Sequence, residues 1–259
     1  MRMMKKVLGT VTVLALSVSL LAGCGSTAAS PVSSAASTAA ESTTSSVVSE
    51  ATSAAADENA AAAAQLLNDL TGSYQELWPV ILADEYKQTW LDDCTALVGE
   101  DNAEAAFEKL SSMVIGDVYG EDAVKAYANG GGAYFCGFTN SLAILTFDGE
   151  TSTISGTDKD GNVLFSHTYH YIGMEPVRGL YEFQSDDADS GEFTYFFLAP
   201  DTSAETYHIE FRYGSDADAL SQYDAGDYAY WLASGISTDC DQTMIDNCIE
   251  LFCTENLAG

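Results

Sequence analysis

The chemically versatile side chains of this chain are scarce: six Cys and three His among 259 residues. Cys24 stands apart from the rest, because it closes Leu20-Leu21-Ala22-Gly23-Cys24, where an apolar stretch ends in two small residues and a thiol. Small residues beside a cysteine are what a lipoprotein peptidase needs, and Cys24 would become the lipidated first residue of the mature chain. The other cysteines are Cys94, Cys136, Cys240, Cys248 and Cys253, an odd number. At least one is therefore free or paired outside the chain, and the sequence leaves several disulfides open, among them Cys240 with Cys248 or Cys253. No C-x-x-C and no Cys/His pair has the spacing of a structural zinc site. Neither a G-x-S-x-G elbow nor a defensible nucleophile with its base occurs, and 39 Asp plus Glu make any proposed carboxylate dyad arbitrary without geometry. On these grounds the chain is not expected to be an enzyme.

The segments that carry these residues differ sharply in composition. Arg2, Lys5 and Lys6 form a basic opening, and Val7 to Leu21 an apolar stretch too short to span a bilayer, so residues 1–23 are expected to be a lipoprotein signal peptide. From Cys24 to Ala56 the chain is rich in Ser, Thr and Ala and nearly free of large apolar side chains. Such a segment cannot offset the entropy of ordering, and is expected to be a tether with a mean reach of ~30 Å. Residues 57–259 remain as one domain, held at the bacterial cell surface or in the periplasm by the lipid.

The whole chain has 9 Lys plus Arg and a formal net charge of −30. Losing Arg2, Lys5 and Lys6 with the signal takes the charge to −33, against the same 39 acidic residues. A surface so negative repels nucleic acid and anionic lipid, and concentrates cations without choosing among them.

The domain reads as helical first and β-rich afterwards. Helices are expected over Asp57 to Leu70, Tyr74 to Leu82, Tyr86 to Val98 and Ala103 to Met113, each with an apolar stripe at helical spacing. Gly130-Gly131-Gly132 is a loop and not a phosphate cradle, since no Lys-Ser/Thr follows. Strands are expected over Ser141 to Asp148, Thr151 to Thr157, Val163 to Ile172, Gly179 to Ser185, Glu192 to Leu198 and Thr206 to Tyr213. Asp160-Gly161-Asn162 has the composition of a tight hairpin turn and lacks the frame of a calcium loop. A last helix, Thr243 to Phe252, is expected to face Met244, Ile245, Cys248, Ile249 and Phe252 to a core. The fold class expected is mainly β within α+β: an up-and-down antiparallel barrel with helices at the N- and C-terminal ends.

Several segments in order resemble the ZinT/YodA family of extracytoplasmic zinc-binding domains. They are Leu70-Thr71-Gly72-Ser73-Tyr74-Gln75-Glu76-Leu77-Trp78-Pro79, Tyr169-His170-Tyr171-Ile172-Gly173, Arg178-Gly179-Leu180-Tyr181-Glu182-Phe183, and Ala199-Pro200 followed by Tyr207-His208-Ile209-Glu210-Phe211-Arg212-Tyr213-Gly214, closed by Trp231 and the final helix. The resemblance spans roughly Leu70 to Phe252 and implies a lipocalin-like barrel that binds zinc for metal uptake or homeostasis, with an importer receptor as partner. It also implies three histidine ligands, of which His208 alone is present; Phe196 and Thr206 stand at the other two positions. A rebuilt site would draw on His167, His170, Glu205 and Glu210, with water completing the shell. Alternate strand residues share a face, so Glu210 lies with His208, whereas only one of His167 and His170 can point inward. The metal ligands expected are therefore His208, Glu210 and one of His170 or His167. The alternative is a barrel that has lost its metal and binds a small apolar ligand, a peptide or a partner protein, which Phe196 favours.

Overall fold

Period-two alternation of aromatic and polar residues sets the architecture of the chain, whose computed structural model describes residues 58–199, 206 and 208–258. Eight strands close into one barrel: β1 (Gly72–Glu76), β2 (Ile144–Asp148), β3 (Thr153–Thr157), β4 (Val163–Met174), β5 (Tyr181–Ser185), β6 (Tyr195–Leu198), β7 (His208–Gly214) and β8 (Ala233–Ser237). Every neighbour is antiparallel, and β8 pairs back onto β1 with Tyr74 opposite Ser237. Closure leaves no sheet edge among the described residues to template aggregation. The signal peptide and tether expected over residues 1–56, Cys24 included, lie outside the described residues. Among the described residues no helix is long and apolar enough to cross a membrane.

Two apolar clusters form. The first fills the barrel with inward residues such as Phe147, Phe165, Phe183, Phe196, Phe211 and Tyr213; a helix over 58–69, α1, adds Leu66 and Leu67 to it, and Leu70 follows in the turn after the helix. The second lies in a helical layer built by α2 (Leu77–Ile81), α3 (Lys87–Val98), α4 (Glu100–Ser112) and α7 (Gln242–Leu257). There Trp90 is fully buried, and its indole N–H donates to the Ile81 carbonyl at 2.7 Å. Ile236 of β8 joins this second cluster, so the outer face of the barrel at β8 meets the helices. The short α5 (Glu121–Ala128) and α6 (Ala217–Leu220) lie in the long connections before β2 and after β7.

The mainly β barrel with flanking helices is the fold that the sequence predicts. One expected helix is corrected: over Tyr74 to Leu82, residues up to Glu76 are strand and only Leu77–Ile81 is helical. Tyr74 pairs with Leu145 across the ladder and stacks edge-on against Phe147 inside the barrel, and that burial overrides the helical spacing. The Asp160-Gly161-Asn162 turn forms as expected. Asp158 Oδ1 accepts from the backbone N–H groups of Asp160 and Asn162, both at 2.9 Å, and Gly161 supplies the positive φ of 81° that the turn requires.

Candidate functional site

β7 has two unlike faces. Ile209, Phe211 and Tyr213 point into the barrel cluster, so His208, Glu210 and Arg212 point outward. Phe196, on the neighbouring β6, is fully enclosed, with ring centroids of Tyr213 at 5.3 Å and Tyr169 at 5.4 Å. Aromatic side chains thus occupy the interior at the position where the resemblance implies a first histidine.

The outward face begins with Thr206, whose hydroxyl lies 2.6 Å from His208 Nδ1 and fixes the imidazole ring. In the register with β8, His208 stands opposite Ile236 and Glu210 opposite Ser234. Glu210 therefore looks towards the helical layer. Burial pushes the Cys136 thiol up to about 12, and the nearby Glu210 charge adds to that shift. The Cys248 thiol is likewise pushed up to about 12, by burial first and then by Glu210. Both sulfurs stay protonated at neutral pH, so neither is poised as a thiolate nucleophile or ligand.

Arg212 ends the outward row. Fully buried, it donates to the carbonyls of Leu220 and Tyr228, whose connection covers this part of the barrel. Its guanidinium lies 4.4 Å from the centroid of the Tyr223 ring, and that of Arg178 sits at 4.4 Å from the same centroid. Tyr223 also donates to the Glu175 carboxylate at 3.3 Å, while Glu175 accepts from the backbone N–H groups of Val177 and Arg178 at 2.6 and 2.7 Å. This cluster joins the β4–β5 turn to the chain after β7. Sequence reasoning missed it, since nothing in the spacing of Glu175, Arg178, Arg212 and Tyr223 announces a contact.

The β4 histidines sit elsewhere. His167 shares the inward face with Phe165 and Tyr169 and is placed opposite Ile154 of β3. Its Nδ1 lies 2.7 Å from Asp187 Oδ2. His170 points outward, half-exposed, with Nδ1 at 2.7 Å from Asp186 Oδ1. Two strands, β5 and β6, separate β4 from β7 around the barrel. His208 and Glu210 thus share a face as the alternation predicts, and the structure does not bring His167 or His170 to them; Glu205 lies outside the described residues.

A tetrahedral zinc centre takes three or four protein donors about 2.0–2.3 Å from one point. Among the described residues no group of three or more His, Cys, Asp or Glu is so placed. The described residues therefore do not fit a closed zinc centre made by the protein alone; β7 offers two donors, His208 and Glu210. What all three histidines have in common is an oxygen at Nδ1, the kind of contact that orients an imidazole ring.

A separate cleft of 470 Å³ opens between the end of β1, α2 and the β3–β4 turn, lined by residues that include Gln75, Glu76, Val80, Leu142, Asp158 and Lys159. Glu76 Oε1 accepts there from the Phe138 backbone N–H at 2.6 Å.

No family model matches the chain, and no curated protein matches it. Among solved structures it is similar to the Zn(II)-bound ZinT-like domain of AdcA from Streptococcus pneumoniae, at 14% identity and a TM-score of 0.45 over 71% of this chain and 89% of that one. It is also similar to Zn(II)-bound AdcA of the same organism, at 12% identity and a TM-score of 0.43 over 72% of this chain. It spans only 35% of that longer protein.

Proposed function

We propose that this chain is an extracytoplasmic lipoprotein, anchored to the bacterial membrane through Cys24, whose barrel takes a divalent cation on the outer face of β7. Zinc is among the ions that a pairing of imidazole with carboxylate suits. The observation that carries the reading is the row Thr206, His208, Glu210: an imidazole fixed through Nδ1 at 2.6 Å, with a carboxylate two residues along the same face. Water would complete the coordination. Two protein donors make a site of modest affinity, which suits an ion that is cargo to be handed to an importer receptor and not a structural centre. The net charge of the chain raises the local cation concentration around that face.

The test is calorimetric titration of the purified chain with zinc at moderate salt, beside His208→Ala and Glu210→Gln. One saturable site, lost in His208→Ala and weakened in Glu210→Gln, is the expected result. Carboxylate condensation alone would give weak, multivalent binding that salt suppresses and neither substitution changes.

A second reading is favoured by the enclosed Phe196: a metal-free barrel that binds a small apolar ligand, a peptide or a partner protein through its surface. Titration without a saturable zinc phase would select it.

A further inference from the structure

All five cysteines of the domain gather in one place. Cys94, Cys136, Cys248 and Cys253 are buried in the helical cluster, with Cys240 packed against it. Within that cluster Cys94 on α3 and Cys253 on α7 face each other across the helix contact, with sulfurs 3.9 Å apart and positions 159 apart in the chain. Both are fully buried, and the proposed metal site uses neither. The two sulfurs already lie near van der Waals contact between two packed helices, and a disulfide would draw them to ~2.05 Å.

We infer that Cys94 and Cys253 are a disulfide pair that covalently ties the C-terminal helix α7 to α3 when the chain folds in an oxidising compartment. The oxidant is a disulfide donor acting by thiol–disulfide exchange. One cysteine thiolate attacks the donor disulfide, forming a mixed disulfide and releasing one donor thiolate. The second cysteine thiolate then attacks the protein sulfur of that mixed disulfide, forming Sγ–Sγ and expelling the other donor thiolate. Two protons leave the protein thiols, two electrons pass to the donor, and the donor ends as two thiols.

The closed helical layer also determines when this happens. Burial raises the thiol pKa of both Cys94 and Cys253, so in the folded reduced protein neither sulfur is an accessible thiolate. Exchange therefore occurs while α7 is still undocked, and the folded reduced protein resists the same donor. The inference rests on the helical contact and not on the metal reading.

The test is refolding of the denatured, reduced full chain in a buffer of oxidised and reduced glutathione, followed by acid quench, alkylation and peptide mass mapping. One cross-link, between the peptides of Cys94 and Cys253, is expected, with the other cysteines alkylated. Reduction of the cross-linked protein should lower its thermal midpoint by about 10 °C, because the bond closes a long loop of the unfolded chain. The variant Cys240→Ser should form the same cross-link and show that same drop on reduction. Folded reduced protein given the same glutathione should stay reduced for hours. Alkylation of Cys94 and Cys253 in the refolded chain, or a dominant link between Cys240 and Cys248, would overturn the inference.

Discussion

The two faces of β7 are made from alternating residues of one strand, yet they have opposite characters. Inward, Ile209, Phe211 and Tyr213 join a packed aromatic interior that also holds Phe196. Outward, Thr206, His208, Glu210 and Arg212 make a polar row, with its far end locked under the connection after β7 and its near end against the helical layer. The contrast shows that alternate residues of one strand build two environments: an aromatic interior, and a polar row that itself ends in a buried structural arginine.

Substitutions that empty the inner face should cost most. Phe196→Ala removes a ring enclosed by Tyr169, Phe165, Phe211 and Tyr213, and should lower the unfolding free energy in urea by about 4 kcal/mol. A loss below about 1 kcal/mol would mean the interior is loosely packed. Next comes the buried end of the outer row, where Arg212→Met strands the carbonyls of Leu220 and Tyr228 without their donor, and should cost about 3 kcal/mol by the same measurement. If Arg212→Met matched wild type, the connection over β7 would be held by its apolar contacts alone.

A smaller effect tests the polar row without disturbing either core. Thr206→Val keeps the shape of the side chain but removes the oxygen at His208 Nδ1, so zinc affinity should fall about tenfold while unfolding in urea changes little. An unchanged affinity would separate Thr206 from the ion.

The smallest effect lies far from β7, at the β3–β4 turn. Side-chain and backbone donation from Asn162 holds the Asp158 carboxyl below its ordinary 3.8. Because the folded-state pKa is the lower one, the stabilisation is fully present above about pH 3.8 and is lost as pH falls through the folded value. Asp158→Ala should accordingly lower the thermal midpoint by about 1–2 °C near neutral pH, and the difference from wild type should vanish in acid. A difference that persists at pH 2 would assign the effect to turn geometry instead of charge.

Much of this contrast was legible in the sequence, and for identifiable reasons. Strands rich in Tyr, Phe and Thr between turn residues revealed β2 to β7, and strict alternation correctly placed Glu210 on the face of His208. β8 escaped because Ala-Ser-Gly-Ile-Ser has no aromatic signature; its strand character comes from pairing with β1 and β7. Tyr74 was drawn into a helical pattern because Leu77, Trp78 and Ile81 continue it, although burial against Phe147 holds Tyr74 in β1. Alternation also separated His167 from His170, but it says nothing about distance around a barrel. The separation of β4 from β7 by two strands, and the aspartates that pair with both β4 histidines, are tertiary facts. So is the meeting of Cys94 with Cys253, residues too far apart in the chain for spacing to connect.

The central claim is that the outer face of β7 takes the cation, and it is tested most directly by following the imidazole nitrogens of the isotope-labelled chain by NMR during zinc titration. His208 Nε2 should shift to the position of a metal-bound nitrogen at stoichiometric zinc, while His167 and His170 keep their resonances. Equal, gradual movement of all three histidines, or coordination at a β4 histidine with His208 unmoved, would contradict the account.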